Sequence, residues 1–240
     1  MPVTVETPWL NCSGGSTTRN GTTTQSISFG WTPQRASLLV VFLFGAVNHT
    51  VSTGEWTKRI QVQGWGEMCM LTTHANGHTG ITDVINGLNY LVGWVAFEFP
   101  PGAVYLTGIG SGPTTDTFPA LSGLPASESV ILAVLGHNSN SVVATSFSAA
   151  WSAPWVEDAD FFTPYDVNEG HGMTVAHRIN STAASVTPAT TVTRGGTWTG
   201  VPDRGLIVAA FDMPSTATPT PAEGARNKSA MAAMRGRSYG

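Results

Sequence analysis

Charge is what this sequence has least of. Asp, Glu, Lys and Arg together make up only 11% of its 240 residues, against roughly 25% in an ordinary soluble domain. Helices on a protein surface draw on such residues for their outer faces, so a mainly helical fold is disfavoured. Cysteine is scarce too: Cys12 and Cys69 stand 57 positions apart with no third thiol, which points away from a disulfide framework or a cysteine-based zinc site. No apolar run approaches the ~20 residues of a membrane-crossing helix; the longest, from Leu38 to Val47, is interrupted by Gly45. The opening Met1-Pro2-Val3 lacks the basic-then-apolar pattern of a secretory signal, so synthesis in a cytoplasm without membrane insertion is expected. Also missing are a Gly-x-Ser-x-Gly elbow, a His-Glu-x-x-His pair, a Walker A loop and a dinucleotide fingerprint. The expectation is a protein with no catalytic residues, no metal and no cofactor.

What is present favours sheets. Apolar residues reach 41%, enough for a packed core, and 27 Gly and 15 Pro supply turns. Segments 37–44, 91–99, 129–135 and 205–213 are short, β-branched or aromatic apolar runs bounded by Gly, Pro, Ser or Asn, the signature of buried strands. Weaker strand signals lie at 25–31, 56–62, 68–74, 104–109, 142–147 and 173–179. About ten strands and no convincing helix predict an all-β sandwich or jelly roll, with Leu39, Val41, Val95, Phe97, Ile131, Ala133, Val208 and Ala210 in its core.

The landmarks recur. Ser37-Leu-Leu-Val-Val-Phe-Leu-Phe-Gly45 is echoed by Ser129-Val-Ile-Leu-Ala-Val-Leu-Gly136, and tryptophans follow each, Trp56 in one and Trp151 with Trp155 in the other. Then the stretch from Gly66 to His74 parallels that from Gly172 to His177, and Val95 to Pro100 parallels Val208 to Pro214. A body over residues 1–214 made of two related halves, 25–110 and 125–214, accounts for this order. Residues 215–222 are a Pro/Thr linker, and residues 223–240 form a basic arm carrying Arg226, Lys228, Met231, Met234, Arg235 and Arg237. Residues 1–222 hold 7 basic and 14 acidic side chains, so the body is acidic and the arm net positive. An acidic body argues against nucleic acid as a partner.

Several groups invite a chemical reading. His74-Ala-Asn-Gly-His78 has metal-ligand spacing for a helix, but Asn-Gly is a turn signal and points to a structural role. Glu157, Asp158 and Asp160 offer oxygens to a calcium ion if they share a loop; a solvated loop or a subunit contact is the plainer reading. Asp166 and Glu169 flank His171 without an evident substrate. Trp151 and Trp155, astride Pro154, are candidates for a glycan or partner contact as well as for core packing.

The stretch from Trp151 to Phe161, with Gly170-His-Gly-Met-Thr-Val-Ala-His-Arg178 and Gly196-Thr-Trp-Thr-Gly200, resembles the β-rich minor tail proteins of phages that infect actinobacteria. The strands at 37–45 and 95–100 are similar as well, so the resemblance spans roughly residues 3–213. It implies a structural virion protein, placed in the tail, whose partners are other phage proteins, copies of itself and, at the host, a surface glycan. A capsid decoration or head-fibre protein is the structural alternative, and a cell-wall depolymerase the enzymatic one. The basic arm lies outside the resemblance.

Overall fold

The computed structural model describes residues 7–18, 24–46, 49–51, 56–63, 67–74, 78–85, 91–112, 116–140, 144–164, 169–180, 182–196 and 203–214. The whole of the arm, from Arg226 and Lys228 through Met231, Met234, Arg235 and Arg237, therefore lies outside the described residues. Within them the only helices or strands are strands, seventeen of them. The first eight are β1 (Asn11–Thr18), β2 (Thr24–Ser28), β3 (Leu38–Ala46), β4 (His49–Val51), β5 (Thr57–Gln63), β6 (Glu67–His74), β7 (Gly80–Ile85) and β8 (Leu91–Phe99). The rest are β9 (Val104–Ser111), β10 (Leu121–Ser122), β11 (Ser129–Asn140), β12 (Ala144–Trp151), β13 (Val156–Pro164), β14 (Glu169–Asn180), β15 (Ser185–Val186), β16 (Thr190–Gly196) and β17 (Asp203–Asp212).

These strands form two five-stranded antiparallel sheets of matching order, β1-β8-β3-β6-β5 and β9-β17-β11-β14-β13. The first half adds a small sheet β2-β7-β4, and the second adds the pairs β10-β15 and β12-β16. Pairing β1 with β8, β2 with β7 and β3 with β6 is the wrapped-hairpin order of a jelly roll. The second half repeats it with β9-β17, β10-β15 and β11-β14. The strand pairing divides the chain between β8 and β9, whereas the sequence put β9 in the first half and left β1 out. A tight turn makes the junction: the Ala103 amide donates to the Pro100 carbonyl at 3.0 Å, and Gly102 has φ +92°. Pro then Gly at the two central positions is what a type II turn requires.

The two large sheets pack face to face. Leu38, Val40, Phe42, Phe44, Val95, Phe97 and Phe99 from one meet Val130, Leu132, Val134, Met173, Val175, Ile207, Ala209 and Phe211 from the other. Each large sheet then buries its opposite face under its own small sheet. Leu39, Val41, Leu43 and Ala96 pack with Ile27, Phe29, Trp56 and Ile81; Ile131, Ala133, Leu135, Val208 and Ala210 pack with Phe118, Leu121, Phe147, Trp155 and Val186. The result is a four-layer sandwich in which β3, β8, β11 and β17 are covered on both faces. Such strands read as unbroken apolar runs rather than alternating ones, which is why the sequence shows them. All eight residues expected in the core are buried.

The registers refine the repeat. Val40 faces Thr73 and Phe97, and its counterpart Leu132 faces His177 and Ala209. Thr73 rather than His74 therefore matches His177, and Ile207 rather than Val208 matches Val95. Both sequence parallels are one residue out, a slip that exchanges the faces of a strand. A β-bulge recurs at the same place, after Lys58 in β5 and after Glu157 in β13.

Glycine shapes the central interface. A side-chain carbon on Gly136 would fall 2.2 Å from the ring of Phe44, so that ring lies flat on the backbone of β11 where a side chain is missing. Replacing Gly136 by Ala should cost about 1–3 kcal/mol by overpacking. In Gly136→Ala/Phe44→Leu the two losses should not add, because the smaller side chain vacates the space. Chemical denaturation of the two single variants and the double variant measures this, and strictly additive losses would refute the contact.

Candidate functional site

Many of the described ionisable groups are drawn inward. In β13 the acidic run is strand rather than loop, and its carboxylates part company. Glu157 is exposed. Asp158, the extra residue of the bulge, turns in to meet His177, whose Nδ1 lies 2.8 and 3.0 Å from the two carboxylate oxygens. Asp160 instead accepts the Ala149 amide at 2.9 Å, tying β13 to β12. Among the described residues no three His, Cys, Asp or Glu side chains are grouped so as to hold a metal ion.

Around the Asp158–His177 pair the two halves meet. The indole of Trp9 stands edge-on to the His177 ring at 4.7 Å and to Phe97 at 4.9 Å, and Cys12 on β1 is buried with them in the central core. Cysteine, histidine and aspartate in one buried place resemble the parts of a nucleophilic site. The electrostatics run the other way. Burial pushes the Cys12 thiol well above its ordinary value, and the nearby Asp158 charge pushes it further, so the thiolate that such chemistry needs is suppressed. The pair acts as a polar cross-link between strands.

A second cluster closes one end of the second half. His137 on β11 is fully buried; its Nδ1 accepts the Arg194 Nε–H at 2.9 Å, which requires the proton to sit on Nε2 in the neutral ring. Arg194 also donates to both oxygens of Asp116 at 2.6 and 2.7 Å, and Arg204 reaches the same carboxylate at 3.2 Å. Burial, then the charges of Arg194, Arg204 and His171, bring His137 down to about 2. The cluster joins β11, β16, β17 and the loop at Asp116. Sequence reasoning passed over it, although one signal was available: where charge is so rare, an arginine inside a Thr/Gly run, as at Thr193-Arg194-Gly195, marks a specific partner.

The remaining candidates resolve into packing. Trp155 is 7% exposed and its ring lies 5.9 Å from that of Trp151; Trp151 donates its indole N–H to Thr174 at 2.9 Å and contacts Phe118 at 5.4 Å. Trp155 belongs to the core under the outer sheet of the second half, and the partly buried Trp151 packs against it. His171 is buried against Phe44, whereas Asp166 lies outside the described residues, as do the side chains of Glu169, His74 and Cys69. His78 stands beside Trp56, ring centroids 6.1 Å apart. Buried Glu98 is held by the Asn11 side-chain amide at 2.6 Å and the Gln34 backbone amide at 2.5 Å.

Comparison of the chain with protein-family models, with curated proteins and with solved structures finds no match.

The His137 environment carries a pH signature. With a folded value of about 2 against ~6.5 when unfolded, the unfolded chain binds the extra proton throughout that interval. Stability from this group is therefore intact above pH 6.5 and falls as pH drops below it, by about 1.4 kcal/mol per unit. Between pH 7.5 and 5.0, His137→Gln should lose about 2 kcal/mol less than the parent chain, since Gln keeps an acceptor for Arg194 and does not titrate. Urea titrations at the two pH values test this, and parallel losses in both proteins would refute it.

Proposed function

We propose that this protein is a structural subunit of a tailed-phage particle, a minor tail protein that works through assembly and surface contact rather than catalysis. The observation that carries the reading is the fate of the polar groups that can do chemistry. Asp158, Asp160, His137, His177 and Glu98 hold strands and layers together inside the body, and the one described thiol is held protonated. The exposed described residues are rich in hydroxyls, with few charges and a row of larger apolar side chains on β9, a surface suited to contact with neighbouring subunits. The resemblance of residues 3–213 to actinophage minor tail proteins supports the same reading. Jelly rolls recur in viral capsids and lectins, though a fold alone does not assign a role. Binding a host glycan through many weak copies on one particle is compatible with such a surface.

Labelling purified particles with antibody against this protein, and imaging them, tests the proposal. Label at the tail is expected; label over the head would favour the decoration reading, and release of sugars from arabinogalactan or peptidoglycan fragments by the purified protein would overturn both. The arm is the attachment device in this view. The described core ends by Pro214, so a chain lacking residues 216–240 should keep its melting temperature yet be lost from particles, as quantitative mass spectrometry of virions would show.

A further inference from the structure

The two large sheets have four edge strands, β1, β5, β9 and β13, and they are not alike. An open edge invites pairing with another chain unless charges, bulges or proline blunt it. β5 carries Lys58 and Arg59 beside its bulge, and β13 carries three carboxylates, a bulge and Pro164. β1 is Ser, Thr and Gly over most of its length. β9 reads Val104-Tyr-Leu-Thr-Gly-Ile-Gly-Ser111; it too is bulged, at Leu106, but it has no charge at all. Among the described residues the exposed large apolar side chains are Val104 (54%), Leu106 (38%), Ile109 (38%) and Ile179; three of the four lie on this one strand. Single exposed apolar residues need no explanation, but a row of them on a sheet edge does.

The inner side of β9 is already used. Side chains on Gly108 and Gly110 would collide with Ile60 and Val62 at 2.4 and 2.2 Å, and Arg59 lies 4.9 Å above the Tyr105 ring. Val104 and Ile109, which face Asp212 and Val208 on β17, are on the other side. Asp212 borders Val104, and exposed Glu128 adjoins Ser129, which pairs with Asp212. An apolar ledge with carboxylates at one end is thus open at the edge of the second half.

We infer that this ledge receives the basic arm, residues 226–237, of a neighbouring copy of the chain. Met231 and Met234 supply apolar groups, and Arg226, Lys228, Arg235 and Arg237 supply the charges that complement Asp212 and Glu128. The arm leaves the body beside the ledge: Pro214 lies against Gly102, two residues before β9 begins, since a side-chain carbon there would sit 3.5 Å from the proline ring. The Pro/Thr linker of residues 215–222 spans about 25 Å when extended, whereas the ledge from Val104 to Ile109 is about 17 Å long. A spacer that starts at one end of the ledge, with a reach longer than the ledge itself, is able to deliver the arm to the next copy. Head-to-tail contacts of this kind close into rings or run on as filaments, a repeat geometry suited to a particle. The inference rests on the assembly reading above and names its contact.

The test uses the full-length chain in sedimentation velocity over a concentration series. Concentration-dependent self-association is expected, weakened at least tenfold both by Leu106→Glu/Ile109→Glu and by Met231→Glu/Met234→Glu. All four substitutions spare the described core, and thermal melts check that each variant is folded. An equimolar mixture of the two double variants keeps one intact ledge and one intact arm, so it should form a dimer that neither forms alone. Association that survives the arm substitutions but not the ledge ones would overturn the inference in favour of edge-to-edge pairing of two β9 strands. A parent chain that stays monomeric at all concentrations would overturn it in favour of the arm folding onto its own body. In either case particle labelling still decides the assembly reading separately.

Discussion

Everything in this molecule depends on the contact between the two five-stranded sheets. Each half is a jelly roll in its own right, yet the inner face of each large sheet is lined with Phe, Val, Leu and Ile that only the other half can cover. Phe99 stacked on Phe211 at 5.0 Å, and Phe44 laid on Gly136, show how closely the faces interlock. Burial of a single such ring is worth roughly 2–3 kcal/mol, so a dozen apolar side chains at one interface outweigh any polar contact in the chain. The halves are consequently one cooperative core rather than two domains on a tether, and the short turn from Pro100 to Ala103 has no need to act as a linker.

That constraint explains which parts of the fold were legible. Strands covered on both faces are apolar at nearly every position, so β3, β8, β11 and β17 stood out as runs such as Leu38-Leu-Val-Val-Phe-Leu-Phe44. Seven strands escaped notice for opposite reasons. β4, β10 and β15 are two or three residues long, too short for any period to register. β1, β7 and β16 are built from Gly, Ser, Thr and isolated apolar residues that resemble loop composition. β13 was hidden by its acids, because three carboxylates in four residues suggest solvent, and nothing local reveals that Asp158 sits in a bulge that turns it inward. The misaligned repeat has the same origin: similarity between apolar runs ignores parity, while pairing between strands enforces it.

The functional part was less legible, for a physical reason. A charge in a sequence signals its presence but not its partner, and in this chain the partners are distant: Arg194 lies 78 positions from Asp116, and Asp158 faces a histidine 19 residues away across a sheet. Tryptophan leaves the converse ambiguity. Trp151 and Trp155 flank a proline in a way that suits a platform as well as a core, and in the fold both large rings pack beneath the outer sheet of the second half.

Two like halves packed on a pseudo-symmetric interface raise a question of specificity, because each half might equally have paired with its twin in another chain. The differences between matched positions answer it. Phe44 on β3 meets Gly136 on β11, so two copies of the first half would clash ring on ring, and two copies of the second would leave a gap. The matched bulges differ likewise: Arg59 caps Tyr105 across one seam, while Asp158 meets His177 across from Cys12 and Trp9 at the other. Ile60 and Val62 fill the glycine positions of β9, whereas the β13 residue matched to Ile60 is the small Ala159. Complementarity of large with small and of polar with polar thus makes the first half fit the second and disfavours pairing of like with like. The inner faces are thereby reserved for the chain's own two halves, and what stays open is the outer edges, where β9 carries three of the four exposed large apolar side chains among the described residues.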